Sequence, residues 1–148
     1  MRRFLFCLAP LLAGSACATF EGEWLETGPV RRSHEEAWTT CIGILRDRQG
    51  FEIGEQSRSE GRISTRWKTQ LAPMYREGTR VRAELEILPL EEGGYNIRVR
   101  CPFEINNNSW NPMSQKDADW VSAGGNENLA IRIRTLLRMK LRGMTLDD

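Results

Sequence analysis

Thr79-Arg80-Val81-Arg82-Ala83-Glu84-Leu85-Glu86-Ile87-Leu88 alternates without a break. Val81, Ala83, Leu85 and Ile87 point one way, and Arg80, Arg82, Glu84 and Glu86 the other. A period of two belongs to a β-strand with one buried and one wet face, which favours antiparallel pairing. After a Gly93-Gly94 turn, Asn96 to Ile105 repeats the pattern, with Ile97, Val99, Cys101, Phe103 and Ile105 inward. If facing residue numbers sum to 184, Glu86 meets Arg98, Glu84 meets Arg100 and Arg80 meets Glu104. Each opposite-charge pair contributes about 0.2–1 kcal/mol, and a slip of two residues would set Arg82 against Arg100, so charge selects this register.

Two shorter strand signals precede this pair. Phe51 and Ile53 flank Glu52, and Gly61 opens Arg62 to Lys68, where Ile63, Thr65 and Trp67 share a face. Upstream, Ser33-His34-Glu35-Glu36 is a capping box, and Trp38, Cys41, Ile42 and Leu45 form one helical stripe that Gly50 closes. A final helix starts near Asn126 or Glu127, with Leu129, Ile133, Leu136, Leu137 and the stem of Lys140 as its inner stripe. Between them, Asn106 to Asn126 is long and irregular, with a short helix expected near Gln115 to Val121. The order is helix, four strands, helix. It predicts an α+β domain over residues 31–142, a four-stranded antiparallel sheet with both helices on one face, followed by a tail at 143–148.

The N-terminus reads as an export signal. Met1-Arg2-Arg3 is basic, Phe4 to Leu12 is apolar, and Ala13-Gly14-Ser15-Ala16 leads to Cys17. The apolar run is far below the ~20 residues that span a bilayer. A cysteine after small residues resembles the lipobox of bacterial lipoproteins, in which that cysteine is acylated and becomes the new N-terminus. This assigns residues 1–16 to a signal peptide and lipid attachment to Cys17, although Gly14 stands where the lipobox usually carries Leu. The same residues also fit ordinary cleavage after Ala18, which would release a soluble chain beginning at Thr19. Residues 17–30 lack periodicity and read as a flexible tether.

Ala37-Trp38, Leu45, Gly50-Phe51-x-Ile53, Gly61-x-Ile63-x-Thr65-x-Trp67 and the Arg-x-Arg strand together resemble the repeating domain of BamC-like bacterial lipoproteins. The resemblance spans about Val30 to Leu141 and implies a helix-grip fold and a place in outer-membrane β-barrel assembly. The chain departs from that family in having one domain where the family has two, and in its short tether.

Composition and motifs narrow the chemistry. The chain carries 21 basic and 20 acidic residues, too balanced for nucleic acid to be the main partner. One histidine and no Cys-x-x-Cys leave too few ligands for zinc, so neither metal nor cofactor is expected. No nucleophile elbow, phosphate loop or His-Glu-x-x-His motif occurs. His34 and Cys41 are separated by about 10 Å of helical rise, too far for a thiol–imidazole pair, and His34 reads as an exposed first-turn residue. Cys41 and Cys101 both fall on predicted core faces. They read either as buried thiols or as a disulfide, whose closed loop of about 60 residues would add about 4 kcal/mol.

The outward sheet face is the candidate interaction surface, lined by Arg62, Arg66, Lys68, Arg80, Arg82, Arg98 and Arg100, with Trp110 and Trp120 at its edge. It reads either as a docking face for an acidic partner or as a solvated face of compensating pairs. The expected function is therefore a non-catalytic envelope lipoprotein, facing the periplasm from the outer membrane, that recruits or scaffolds a protein. A soluble periplasmic module binding a small ligand or polymer is the alternative, and a small hydrolase the third.

Overall fold

The computed structural model describes residues 21–71 and 77–142. The expected signal peptide, Cys17 and the expected tail at 143–148 lie outside the described residues. The domain is α+β, with two helices and two antiparallel sheets. In chain order the elements are β1 (Leu25–Val30), α1 (His34–Gly43) with a π-helical turn at Ile44–Arg48, β2 (Ile53–Ser57), β3 (Arg62–Thr65), β4 (Lys68–Gln70), β5 (Thr79–Val81), β6 (Glu84–Pro89), β7 (Tyr95–Arg100), β8 (Pro102–Asn106), β9 (Trp120–Gly125) and α2 (Glu127–Arg142). The first sheet runs β1-β7-β6-β3-β2 and the second β4-β5-β8-β9.

The expected single four-stranded sheet is thus replaced by two sheets, because three long strands each break at one level. The breaks fall at Arg66-Trp67, Arg82-Ala83 and Cys101. Thr65 Oγ1 accepts from the Ala83 amide at 2.9 Å, where a sheet would use a backbone carbonyl. Two of the long strands keep their mutual register across the break: Glu84 faces Arg100, Glu86 faces Arg98 and Arg80 faces Glu104. On the third, Ser64 faces Glu84 but Lys68 faces Val81, so one extra residue is inserted between them. That is a β-bulge, and it turns every later side chain to the opposite face.

Two further elements differ from the sequence reading. The last six residues of the expected tether form β1, which adds to the edge of β7, pairing Leu25 with Val99 and Val30 with Tyr95. It is held by the Thr27 side chain, which accepts from the Ile97 amide, and by Arg142, which donates to the Thr27 carbonyl. The segment lacks alternation because Gly28, at φ +73°, interrupts the pairing. The helix expected near Gln115 to Val121 is absent; Trp120 onward instead pairs with β8 as β9.

The core joins Ala37, Trp38, Cys41, Ile44 and Leu45 of the first helix to Ile63, Leu85, Ile87, Ile97 and Val99 of the sheet and Ala130, Ile133, Leu137 and Leu141 of α2. The capping box forms as expected: Ser33 N donates to Glu36 Oε2 at 3.0 Å and Glu36 N to Ser33 Oγ at 3.2 Å. Gly50 ends the helix at φ +65°. The π-helical turn brings Ile44 inward beside Leu45 and leaves Ile42 only half-buried. In α2 the stripe centres on Ala130, Ile133, Leu137 and Leu141, and Lys140 is exposed.

Cys41 and Cys101 are both free thiols, not the bridge considered from sequence. Cys101 lies where β7 gives way to β8, its carbonyl accepting from Asn126 at the start of α2, whereas Cys41 lies on α1, which packs on β6 and α2. Burial pushes both thiols up to about 12, and the nearby Glu84 charge adds to the effect at Cys101.

Two predictions follow from this packing. Gly61 sits at φ +66°, and a Cβ there would come within 2.4 Å of the Ile87 carbonyl oxygen. Gly61→Ala should cost at least about 1–3 kcal/mol from backbone strain alone, read as a lower urea midpoint with unchanged slope. The thiols stay neutral in the fold but ionise near 9 when unfolded, so their contribution is full below pH 9 and is lost as pH rises towards 12. Each buried thiol should cost about 1.4 kcal/mol per pH unit in that window, and Cys41→Ala should shallow the alkaline decline by that amount.

Candidate functional site

The outward sheet face is built by alternation. With Leu85, Ile87, Ile97 and Val99 turned into the core, Glu84, Glu86, Arg98 and Arg100 stand on the other side, and beyond the break Arg80, Arg82 and Glu104 continue the row. The charges are joined in ion pairs, three of them across strands and one, Arg82 with Glu84, along the same stretch of chain. Arg98 Nη2 lies 2.5 Å from Glu86, Arg100 Nη2 2.7 Å from Glu84, Arg82 Nη2 2.6 Å from Glu84 and Arg80 Nη2 2.5 Å from Glu104.

Three tryptophans cover this row. Trp24 lies over Arg98 and Arg100, its ring centre 4.7 and 4.6 Å from their guanidinium carbons. Trp67 stacks on Arg80 and Arg82 at 4.5 and 4.8 Å, and Trp120 takes Arg80 at 4.6 Å. Glu21 closes the end of the row with a 2.5 Å contact to Arg100 Nη2. A guanidinium that forms ion pairs through its edge while stacking through its face uses both of its modes of contact. The Arg100 and Glu84 side chains keep only 22% and 14% of their exposure, against 65% for Arg62 and 69% for Arg66.

The structure therefore redistributes the predicted surface. Arg80, Arg82, Arg98 and Arg100 come together but are paired and covered. Arg62 and Arg66 lie at the margin, exposed, beside Glu60 and Glu52. Lys68 is on the other face: past the bulge it shares a side with Val81, reaches over Phe51, and its ammonium donates to the Gln49 carbonyl at 3.2 Å. Trp67, expected inward with Ile63 and Thr65, is turned outward by the same bulge. Trp120 belongs to the arginine row. Trp24, which the sequence reading leaves in a loose tether because the segment before β1 carries no periodic signal, is docked on the row.

Trp110 stands apart. It is 96% exposed, and Met113, three residues on in the same loop, is 48% exposed. The loop that presents them, 107–119, is held by its own side chains. Asn106 Oδ1 accepts from the amides of Asn108 and Asp119, both at 3.0 Å. Asn108 Oδ1 accepts from Trp110 N at 3.1 Å and Asn111 N at 3.2 Å, and its amide donates to the Asp117 carbonyl at 2.7 Å. Ser114 and Asp117 hydrogen-bond reciprocally at 2.8 and 3.2 Å. The asparagine-rich composition thus supplies Asx-type turns rather than slack chain.

Other cavities are shallow. A groove of about 380 Å³ runs between Trp24 and the β2–β3 hairpin, lined by Ser57, Glu60, Arg62, Ser64 and Glu86. Its Glu84 and Glu86 carboxylates are already paired with arginines. His34 is half-buried, against Trp38 and Tyr95 at ring distances of 6.0 and 5.5 Å, rather than a free first-turn side chain. Among the described residues, no three of His, Cys, Asp or Glu are placed to share a metal ion, and no helix is long and apolar enough to cross a membrane.

The covered row makes a graded stability prediction. Arg100→Met leaves Glu84 with Arg82 as its cation, takes Arg100 from Glu21 and removes one plane beneath Trp24, and should cost about 1–3 kcal/mol; Arg62→Met should stay within about 0.5 kcal/mol. Denaturant melts of the two variants provide the check.

No protein-family model matches the chain, and no curated protein matches its sequence.

Proposed function

We propose that the chain is an exported lipoprotein, acylated at Cys17, whose domain serves as a non-catalytic interaction or scaffold module in the bacterial envelope, akin to BamC-like lipoproteins. In this reading the fold is helix-grip-like, with both helices on one face of the five-stranded sheet. The shared core of α1, α2 and that sheet supports it.

One observation carries the anchoring part. Ordered, docked chain is already in place at Glu21, which ion-pairs with Arg100, and Trp24 stacks beside it. Cys17 lies only four positions before Glu21, a reach of at most about 14 Å. An acyl anchor on Cys17 would hold the domain close against the bilayer rather than on a long leash. The docked segment then acts as a mechanical root for the anchor.

The mature protein should have the intact mass of a chain beginning at an acylated Cys17, and Cys17→Ala should move it from the membrane to the soluble fraction. A mature chain that begins at Thr19 without lipid would defeat this reading and favour the soluble periplasmic module.

A further inference from the structure

We propose that the Trp110 loop is a protein-docking site, in which the indole of Trp110 enters an apolar socket on a partner protein, with exposed Met113 of the same loop adding apolar surface. This rests on the reading of the domain as an interaction module and names the surface that does the work. The arginine row cannot take that part without breaking its own pairs, since each of its guanidiniums is paired with a carboxylate and stacked on an indole.

Two properties single out the loop. The first is the cost of leaving Trp110 in water. An indole that is 96% exposed loses the burial it could have gained in the core, and its own backbone amide is fixed by Asn108. The second is preorganisation. A loop closed by the hydrogen bonds of Asn106, Asn108, Ser114 and Asp117 has little conformational freedom left to lose on binding. Rigid, exposed tryptophans are the residues that dominate protein interfaces.

Charge separates a protein from a lipid surface as the occupant. Residues 107–119 contain Lys116 against Asp117 and Asp119, a net charge of −1. Segments that settle on anionic bilayers pair their aromatics with several basic residues, and this loop carries an acidic excess instead.

The test uses the full-length chain in its own cells with a photoreactive benzoylphenylalanine at position 110, and separately at exposed Glu55 as control. The expected result is one discrete protein adduct from position 110 and none from position 55, weakened several-fold when Asn108→Ala loosens the loop. That protein, purified, should bind the parent chain and lose at least about 30-fold in affinity with Trp110→Ala, while the melting temperature of the variant stays put. In parallel, vesicles of phosphatidylethanolamine and phosphatidylglycerol should leave the tryptophan emission unchanged. No adduct at 110, equal adducts at both positions, unchanged affinity with Trp110→Ala, or a vesicle-induced blue shift that Trp110→Phe abolishes would each overturn the proposal. Failure of the lipoprotein reading is seen separately, in the mass of the mature N-terminus.

Discussion

The pairing of Thr79–Pro89 with Tyr95–Asn106 in one uninterrupted register is the constraint on which both sheets depend. Glu84–Arg100, Glu86–Arg98 and Arg80–Glu104 sit opposite each other on both sides of the break. Because that register survives, the two sheets share one outer row of charges and one inner row of apolar side chains. Each individual ion pair contributes modestly, but a slip would also move every apolar residue relative to its neighbours in the core.

The outer row shows how a surface rich in arginine becomes structural. Sequence alone leaves two readings of it, a docking face or a compensated one. The geometry favours compensation, since carboxylates take the guanidinium edges and indoles take their faces. The arrangement also explains why the segment before β1 is ordered. Trp24 and Glu21 find partners on Arg98 and Arg100, and Thr27 supplies an acceptor to Ile97. Segments that look loose in a linear reading can be held by a surface that only the folded domain provides.

Among the described residues, the most exposed large apolar side chain lies elsewhere, at the tip of the β8–β9 connection. There, asparagines and Asp117 use their short polar side chains to fix backbone turns, and Trp110 is left outside. A rigid frame around an exposed indole is costly unless something covers the indole, which is the physical motive for reading the loop as a contact site. Anchor and contact would then belong to different parts of one domain, the first near Glu21 and the second beyond Asn106.

The amino-acid sequence by itself determined the α+β class, the capping box and helix of Ser33 to Gly50, the alternation of the long strands and the register chosen by their charges. These are local or pairwise signals, written in periods of 3.6 and two residues and in the signs of facing side chains. It also marked both cysteines as core residues. Only the tertiary structure decided where the long strands break. One inserted residue near Arg66 carries no mark in composition, yet it turns Trp67 outward and sends Lys68 to the helix C-terminus. The conversion of residues 25–30 into a strand, and of Trp120 to Gly125 into another, was likewise decided by free sheet edges waiting to be paired. The Thr27–Ile97 hydrogen bond and the stacking of Trp24 on Arg98 join residues 70 or more positions apart, and no periodicity along the chain records such distances.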